Sequence, residues 1–189
     1  MNDNSKHRKQ LKHYDIPGHA HELTFSCYHS LHYFNDPISC NIFIEELRRS
    51  KELFQFRLWA YVIMPSHVHL LIYPCQQNYK IADILQTVKG RTSKRYGEVL
   101  LEKSPETYER YCIRIGDKIT FRFWQAGGGF DRNFWSPEAI HNSINYIERN
   151  PVQKGLVKNP EDWEWSSARA RFAGKGLVPD DCEIPMLMK

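Results

Sequence analysis

The sequence predicts an α+β fold of the ferredoxin-like sandwich type, an antiparallel sheet with helices packed mainly on one face. Three observations carry this expectation. Strand-like and helix-like segments follow one another in the order β-α-β-β-α, with a further helix late in the chain. Two of the helices open on a capping residue followed by proline, at Asp36-Pro37 and Ser136-Pro137. The 189 residues, 41% hydrophobic and 25% charged, suit one domain with a sizeable core and argue against disorder or a fibrous chain.

Residues 1–13 carry Lys6, Arg8, Lys9 and Lys12 with almost no apolar partner, and are expected to form a flexible basic arm. The domain itself is expected over 14–175, with a tail over 176–189. Glu22 to Tyr28 reads as a strand, and a helix runs from Asp36 to about Leu53. Phe54 to Met64 and His67 to Tyr73 form a hairpin across Pro65-Ser66. Ile81, Ile84, Leu85, Val88 and Tyr96 recur at helical spacing and predict a helix to about Tyr96. The polar stretch 101–120 looks like an insertion, with two short strands around Gly116-Asp117. Gly127-Gly-Gly is a loop, the helix from Ser136 should stop before Pro151, and Ser166 to Phe172 closes the chain as a short helix.

Function classes narrow at once. Five cysteines without a C-x-x-C pair cannot build a fully paired disulfide framework, so reduced thiols in the cytoplasm are expected. The first residues lack the apolar stretch of a signal peptide, and no run of about 18 apolar residues suggests a membrane span. A net charge of +4 leans mildly toward polyanionic partners.

Chemistry concentrates in two places. His67 and His69 lie two apart on a predicted strand, so both imidazoles leave one face while Val68, Leu70 and Ile72 leave the other. Neutral imidazole is a common metal ligand, and two that converge can share one cation. The second place is the helix from Ser136, whose core stripe is Ile140, Ile144 and Ile147. At about 100° per residue, Tyr146 falls roughly 125° and Asn150 roughly 85° from the centre of that stripe. They form an i, i+4 pair on one flank.

Taken together, the motifs resemble those of the single-tyrosine HUH transposases, and within them the REP-associated tyrosine transposases. The matching segments are Met64-Pro-Ser-His-Val-His-Leu-Leu and Tyr146-Ile-Glu-Arg-Asn-Pro-Val-Gln-Lys-Gly-Leu-Val, with Phe123-Trp-Gln, Gly129-Phe-Asp-Arg-Asn and Asp162-Trp-Glu-Trp-Ser-Ser-Ala-Arg beside them. The resemblance covers most of residues 14–172. It implies that His67 and His69 are metal ligands, that Asn150 completes the site, and that Tyr146 is the nucleophile. The implied cofactor is Mg²⁺ or Mn²⁺, and the implied substrate is single-stranded or hairpin DNA, cut and rejoined through a 5′-phosphotyrosine. Lys89, Arg91, Lys94, Arg95, Arg114, Arg122 and Arg132 are candidates for phosphate contacts. The insertion at 101–120 and the tail after Phe172 depart from the pattern and bear on substrate binding.

Two rival readings stay open. In one, the histidines hold Zn²⁺ for a hydrolase that uses water, although neither H-E-x-x-H nor a cysteine-rich cluster supplies a third strong ligand; the second His-x-His, His19 and His21, sits at a strand start. In the other, the chain binds hairpin DNA without cutting it. Asp131 is expected to be structural. No residue decides between monomer and homodimer, or whether the tyrosine serves its own chain's histidines.

Overall fold

The computed structural model describes residues 14–181 and 184–187; the arm expected over 1–13 and Cys182 lie outside the described residues. The elements are β1 (Ala20–Ser26), α1 (Pro37–Phe54), β2 (Phe56–Met64), β3 (His67–Pro74), α2 (Ile81–Lys103), α3 (Pro105–Arg110), β4 (Cys112–Ile115), β5 (Lys118–Phe121), β6 (Phe130–Phe134), α4 (Pro137–Gln153) and α5 (Ser167–Ala173). Both N-caps are built as the sequence predicts. Asp36 accepts from the Ile38 amide at 2.9 Å and Ser136 from the Ala139 amide at 3.3 Å, each ahead of a proline whose missing N–H has no partner to lose.

Four strands pair antiparallel in the order β2-β3-β1-β6, and β4-β5 stand apart as a hairpin. With that hairpin set aside, the sheet reads fourth, first, third, second in chain order, the ferredoxin-like arrangement. The β2–β3 hairpin closes at the pair Met64 and His67, across the expected Pro65-Ser66 turn. Because side chains alternate, this register turns Val68, Leu70 and Ile72 toward one face and His67, His69 and Leu71 toward the other.

Each face has its own core. On one, Leu23, Phe25, Val68, Leu70 and Ile72 meet Cys40, Phe43 and Leu47 of α1 and Ile84, Leu85 and Val88 of α2. On the other, Trp59, Val62, Met64, Leu71 and Phe134 meet Ile140, Ile144 and Ile147 of α4. The two longest helices thus share one face as expected, and α4 covers part of the second, over the histidines. Among the described residues no helix is long and apolar enough to cross a membrane.

Four boundaries differ from the sequence expectation. The fourth strand, β6, is absent from it because Phe-Asp-Arg-Asn-Phe is too short and polar to stand out; pairing with β1, from Ala20 opposite Phe134 to Thr24 opposite Phe130, makes it a strand. Helix α2 runs past Tyr96 to Lys103, since Leu100 extends its buried face, so the polar stretch 101–120 comprises its last turn, α3 and most of the β4–β5 hairpin. Helix α4 continues through Pro151 to Gln153. A proline in a last turn forfeits one backbone bond only, and the Lys154 and Leu156 amides still satisfy the carbonyls of Asn150 and Pro151. Finally, residues 177–181 dock on the domain: Leu177 joins the core, and Asp180 exchanges hydrogen bonds with Leu58 on the outer edge of β2. Together with Trp165, whose carbonyl accepts from the Ile63 amide, this segment covers an edge that would otherwise be open to pairing.

Gly129 joins the glycine loop to β6 and tests that join. Its φ is +80°, and a Cβ there would sit 2.1 Å from the Thr24 carbonyl oxygen. Gly129→Ala is therefore expected to lower stability by at least about 1–3 kcal/mol, read as a fall in the urea midpoint.

Candidate active site

The site begins with β3. His69 is buried and His67 half-buried, with ring centroids 5.0 Å apart. The neighbouring strand β1 places Thr24 opposite His69, and Thr24 Oγ1 lies 2.8 Å from His69 Nδ1; Ser66 Oγ lies 3.3 Å from His67 Nδ1. The Thr24 hydroxyl can accept the Nδ1 proton of neutral His69, and in that tautomer the Nε2 lone pair is the one offered to a ligand. Burial, reinforced by the charges of His67 and Lys154, pushes the His69 pKa down to about 4; burial and then Lys154 lower that of His67. Both rings are neutral near pH 7, the form that binds a metal.

Helix α4 supplies the other half. Its isoleucine stripe is sealed against the sheet, with Ile147 at 0% exposure, and this fixes the roll of the helix. Tyr146 then emerges 44% exposed with its ring centroid 5.7 Å from that of His69, edge to face. One turn on, Asn150 is buried, and its amide nitrogen lies 3.4 Å from His69 Nε2. Its carbonyl oxygen is buried with no hydrogen-bond partner. Such an atom costs free energy unless something completes it.

Tested as a metal site, these residues fit. Two neutral imidazoles beside hydroxyls, and an amide whose oxygen has no partner among the described residues, supply N,N,O donors once Asn150 turns its oxygen, in place of its nitrogen, toward His69. The four residues singled out in the sequence come together in one chain.

In front of them opens a cleft of about 600 Å³ between β1, β6 and α4, lined by Glu22, Thr24, His69, Phe130, Arg132, Phe134, Ser143 and Tyr146, among others. Glu22 accepts a hydrogen bond from Ser143 Oγ at 2.7 Å, which ties α4 to β1 behind the site. Arg132 lies over the Phe134 ring at 5.0 Å. Of the other candidate cations, Lys89 and Arg122 line an adjoining depression, Arg114 is exposed on β4, and Arg91, Lys94 and Arg95 lie on the outer face shared by α1 and α2.

Sequence reasoning missed Thr24, Glu22, Ser143, Lys154 and Phe130. The alternation of Glu22 and Thr24 was visible, but only strand pairing sets it beside His69. In the second His-x-His, buried His21 lies through Nδ1 2.9 Å from Asp131 and through Nε2 2.8 Å from the Tyr79 hydroxyl, so Asp131 has a structural role with His21, where the sequence pointed to Arg132 as its partner, and His19 packs on Trp135.

Comparison with known proteins bears on the fold and the family. A Haemophilus influenzae protein described as a REP-associated tyrosine transposase is 23% identical over 146 residues, covering 75% of this chain and 74% of that protein. A solved structure of a REP-associated tyrosine transposase bound to a REP hairpin superposes with a TM-score of 0.67 at 16% identity, covering 95% of this chain and 99% of that one; the likeness is one of fold. The family model described as "Transposase IS200 like" matches residues 20–114, from β1 through the histidine strand into β4. That stretch is 95 of the 189 residues, half of the chain, and by it the protein belongs to the IS200-like transposase family.

Proposed function

We propose that this chain is a metal-dependent transposase that cuts and rejoins single-stranded DNA beside a short palindromic hairpin, with Tyr146 as nucleophile. One observation carries the reading: the exposed phenol of Tyr146 stands beside His69, while the buried oxygen of Asn150, on the same helix, has no hydrogen-bond partner among the described residues. The relatives named for REP-associated transposition, one of them solved with a REP hairpin, support a hairpin substrate.

His67, His69 and Asn150 would hold Mg²⁺ or Mn²⁺, which when bound polarises the scissile phosphate and offsets its growing charge. Two nitrogens in the set favour Mn²⁺ over the harder Mg²⁺. Thr24 and Ser66 hold the imidazoles in place, and Arg132 offers the cleft a cation for a phosphate oxygen. Tyr146 Oη forms a bond to phosphorus as the bond to the 3′ oxygen breaks. The phenolic proton is lost, the leaving 3′ oxygen gains one, and a 5′-phosphotyrosine remains. Because that ester keeps the energy of the broken linkage, a second 3′-OH can reverse the step without ATP.

The zinc-hydrolase reading is less well supported. Among the described residues no group of three His, Cys, Asp or Glu side chains could hold a metal, and an amide is a weak third ligand for zinc. A hairpin-binding protein without cleavage remains the second alternative, against which the exposed, metal-side position of Tyr146 speaks.

Incubation of the full chain with a hairpin oligonucleotide carrying a single-stranded flank, in Mn²⁺, is expected to give a DNA–protein adduct on a denaturing gel. Tyr146→Phe should abolish it while binding persists. Hydrolysis that survives Tyr146→Phe would establish the hydrolase, and tight binding without cleavage in either metal would establish the binding protein.

Thr24→Val removes the partner of His69 Nδ1 and keeps the shape. It should lower cleavage about 10–100-fold at limiting metal, with recovery as Mn²⁺ is raised. Asn150→Ala should lower cleavage at every metal concentration tested.

A further inference from the structure

The cations that the sequence offers for DNA contact divide into two sets once their carboxylate partners are counted. On the α1–α2 face, Arg95 is paired with Glu45 at 2.8 Å and Glu46 at 2.7 Å, Arg91 approaches Glu46 at 4.0 Å and Lys94 approaches Glu98 at 4.0 Å. That face is largely self-neutralised. Lys89, Arg122 and Arg132 differ: among the described residues none has a carboxylate within ion-pair distance. Each instead lies over an aromatic ring, Phe25 at 5.7 Å, Tyr28 at 5.4 Å and Phe134 at 5.0 Å respectively. Lys89 Nζ also donates to the Gly127 carbonyl at 2.7 Å, pinning the glycine loop against α2.

These three cations follow one path. The catalytic cleft shares Thr24 and Phe130 with a smaller hollow of about 250 Å³ beneath the glycine loop. That hollow in turn shares Lys89 and Gly127 with a depression of about 500 Å³ floored by Phe121, Phe123 and Trp124 and edged by Arg122. Phe130 stands where the first two meet, 47% exposed although fully apolar. An exposed aromatic between unpaired cations on a track leading from a cutting site is the pattern of a single-strand binder, in which bases stack on rings and phosphates meet cations.

We propose that the single-stranded DNA flank continuous with the scissile phosphate runs from the catalytic cleft over Phe130 and along the glycine loop to Arg122, with one base stacked on Phe130. The proposal rests on the DNA-cutting reading above. It assigns the groove to the flank and leaves the duplex hairpin to other surfaces. Three features favour this occupant: unpaired positive charge, stacking surface, and continuity with the cleft that must receive the same strand. A duplex presents its bases stacked inside and has none to lay on a ring in the groove.

The test uses the full chain and two oligonucleotides, the hairpin with its single-stranded flank and the same hairpin without it. 2-Aminopurine placed in turn at each flank position should be quenched on binding at one or two positions near the cut. Phe130→Ala should remove that quench and weaken flanked-hairpin binding about 10-fold, leave the bare hairpin unchanged, and be rescued by Phe130→Trp. Arg122→Gln should lower the salt dependence of flanked-hairpin binding by about 0.7 in log–log slope. An equal loss on both oligonucleotides, or no loss on either, overturns the assignment of this groove. Tyr146 adduct formation by the wild-type protein, scored in the same samples, keeps the two readings apart: adduct without any effect of Phe130→Ala sinks only the groove, whereas no adduct sinks the cutting reading itself.

Discussion

The seating of three isoleucines decides this structure. Ile140, Ile144 and Ile147 pack against Trp59, Val62, Met64, Leu71 and Phe134, and burial of such side chains stabilises by on the order of 1.5–3 kcal/mol each. That contact sets the roll of α4 on the sheet. With the roll fixed, Tyr146 must rise beside His69 and Asn150 must turn its amide toward the same ring. A helix rotated by one residue, about 100°, would bury the phenol or send it to solvent.

Polar anchors sharpen what the apolar stripe begins. Ser143 ties α4 to Glu22 of β1. Near the other end of the helix, Glu148 is bound by Ser167 at 2.5 Å and by Arg171, whose guanidinium also reaches the Trp59 carbonyl and Asp181. The helix is thereby held on both sides of Tyr146, which suits the nucleophile role proposed for that residue. Asn150 stands apart from this pattern. Beside the histidines, its buried amide oxygen has no hydrogen-bond partner among the described residues. Within the chain, Tyr146 and Asn150 of α4 lie beside His69 of β3.

The segment after α4 does comparable work on the far edge. Residues 163–180 run along β2, sealing Leu58 and Ile63, and so the sheet is covered on one edge while β6 closes the other against the cleft. Edge strands left bare invite unwanted pairing. The covering thus protects the fold, and β6 is left to present Phe130, Arg132 and Phe134 toward the site by simple alternation.

Much of this was legible in the residues alone. The two capped helices, the Pro65-Ser66 hairpin and the shared face of His67 and His69 follow from local rules, caps, turns and period-two alternation, that need no distant partner. The i, i+4 relation of Tyr146 and Asn150 is equally local. What distant contacts decide stayed hidden. Residues 130–134 become a strand only by pairing with β1, about 110 positions away, and Thr24 reaches His69 only through the same sheet. The cationic residues looked alike in sequence, and tertiary structure separated them, because Glu45 and Glu46 on α1 pair with the end of α2 while, among the described residues, no carboxylate comes within ion-pair distance of Lys89, Arg122 or Arg132. Sequence singled out His67, His69, Tyr146 and Asn150 as candidates, since residue type and local periodicity are written in the chain; only the fold decided that Tyr146 and Asn150 lie beside His69, because that depends on how the sheet orders its strands and how α4 rolls upon it.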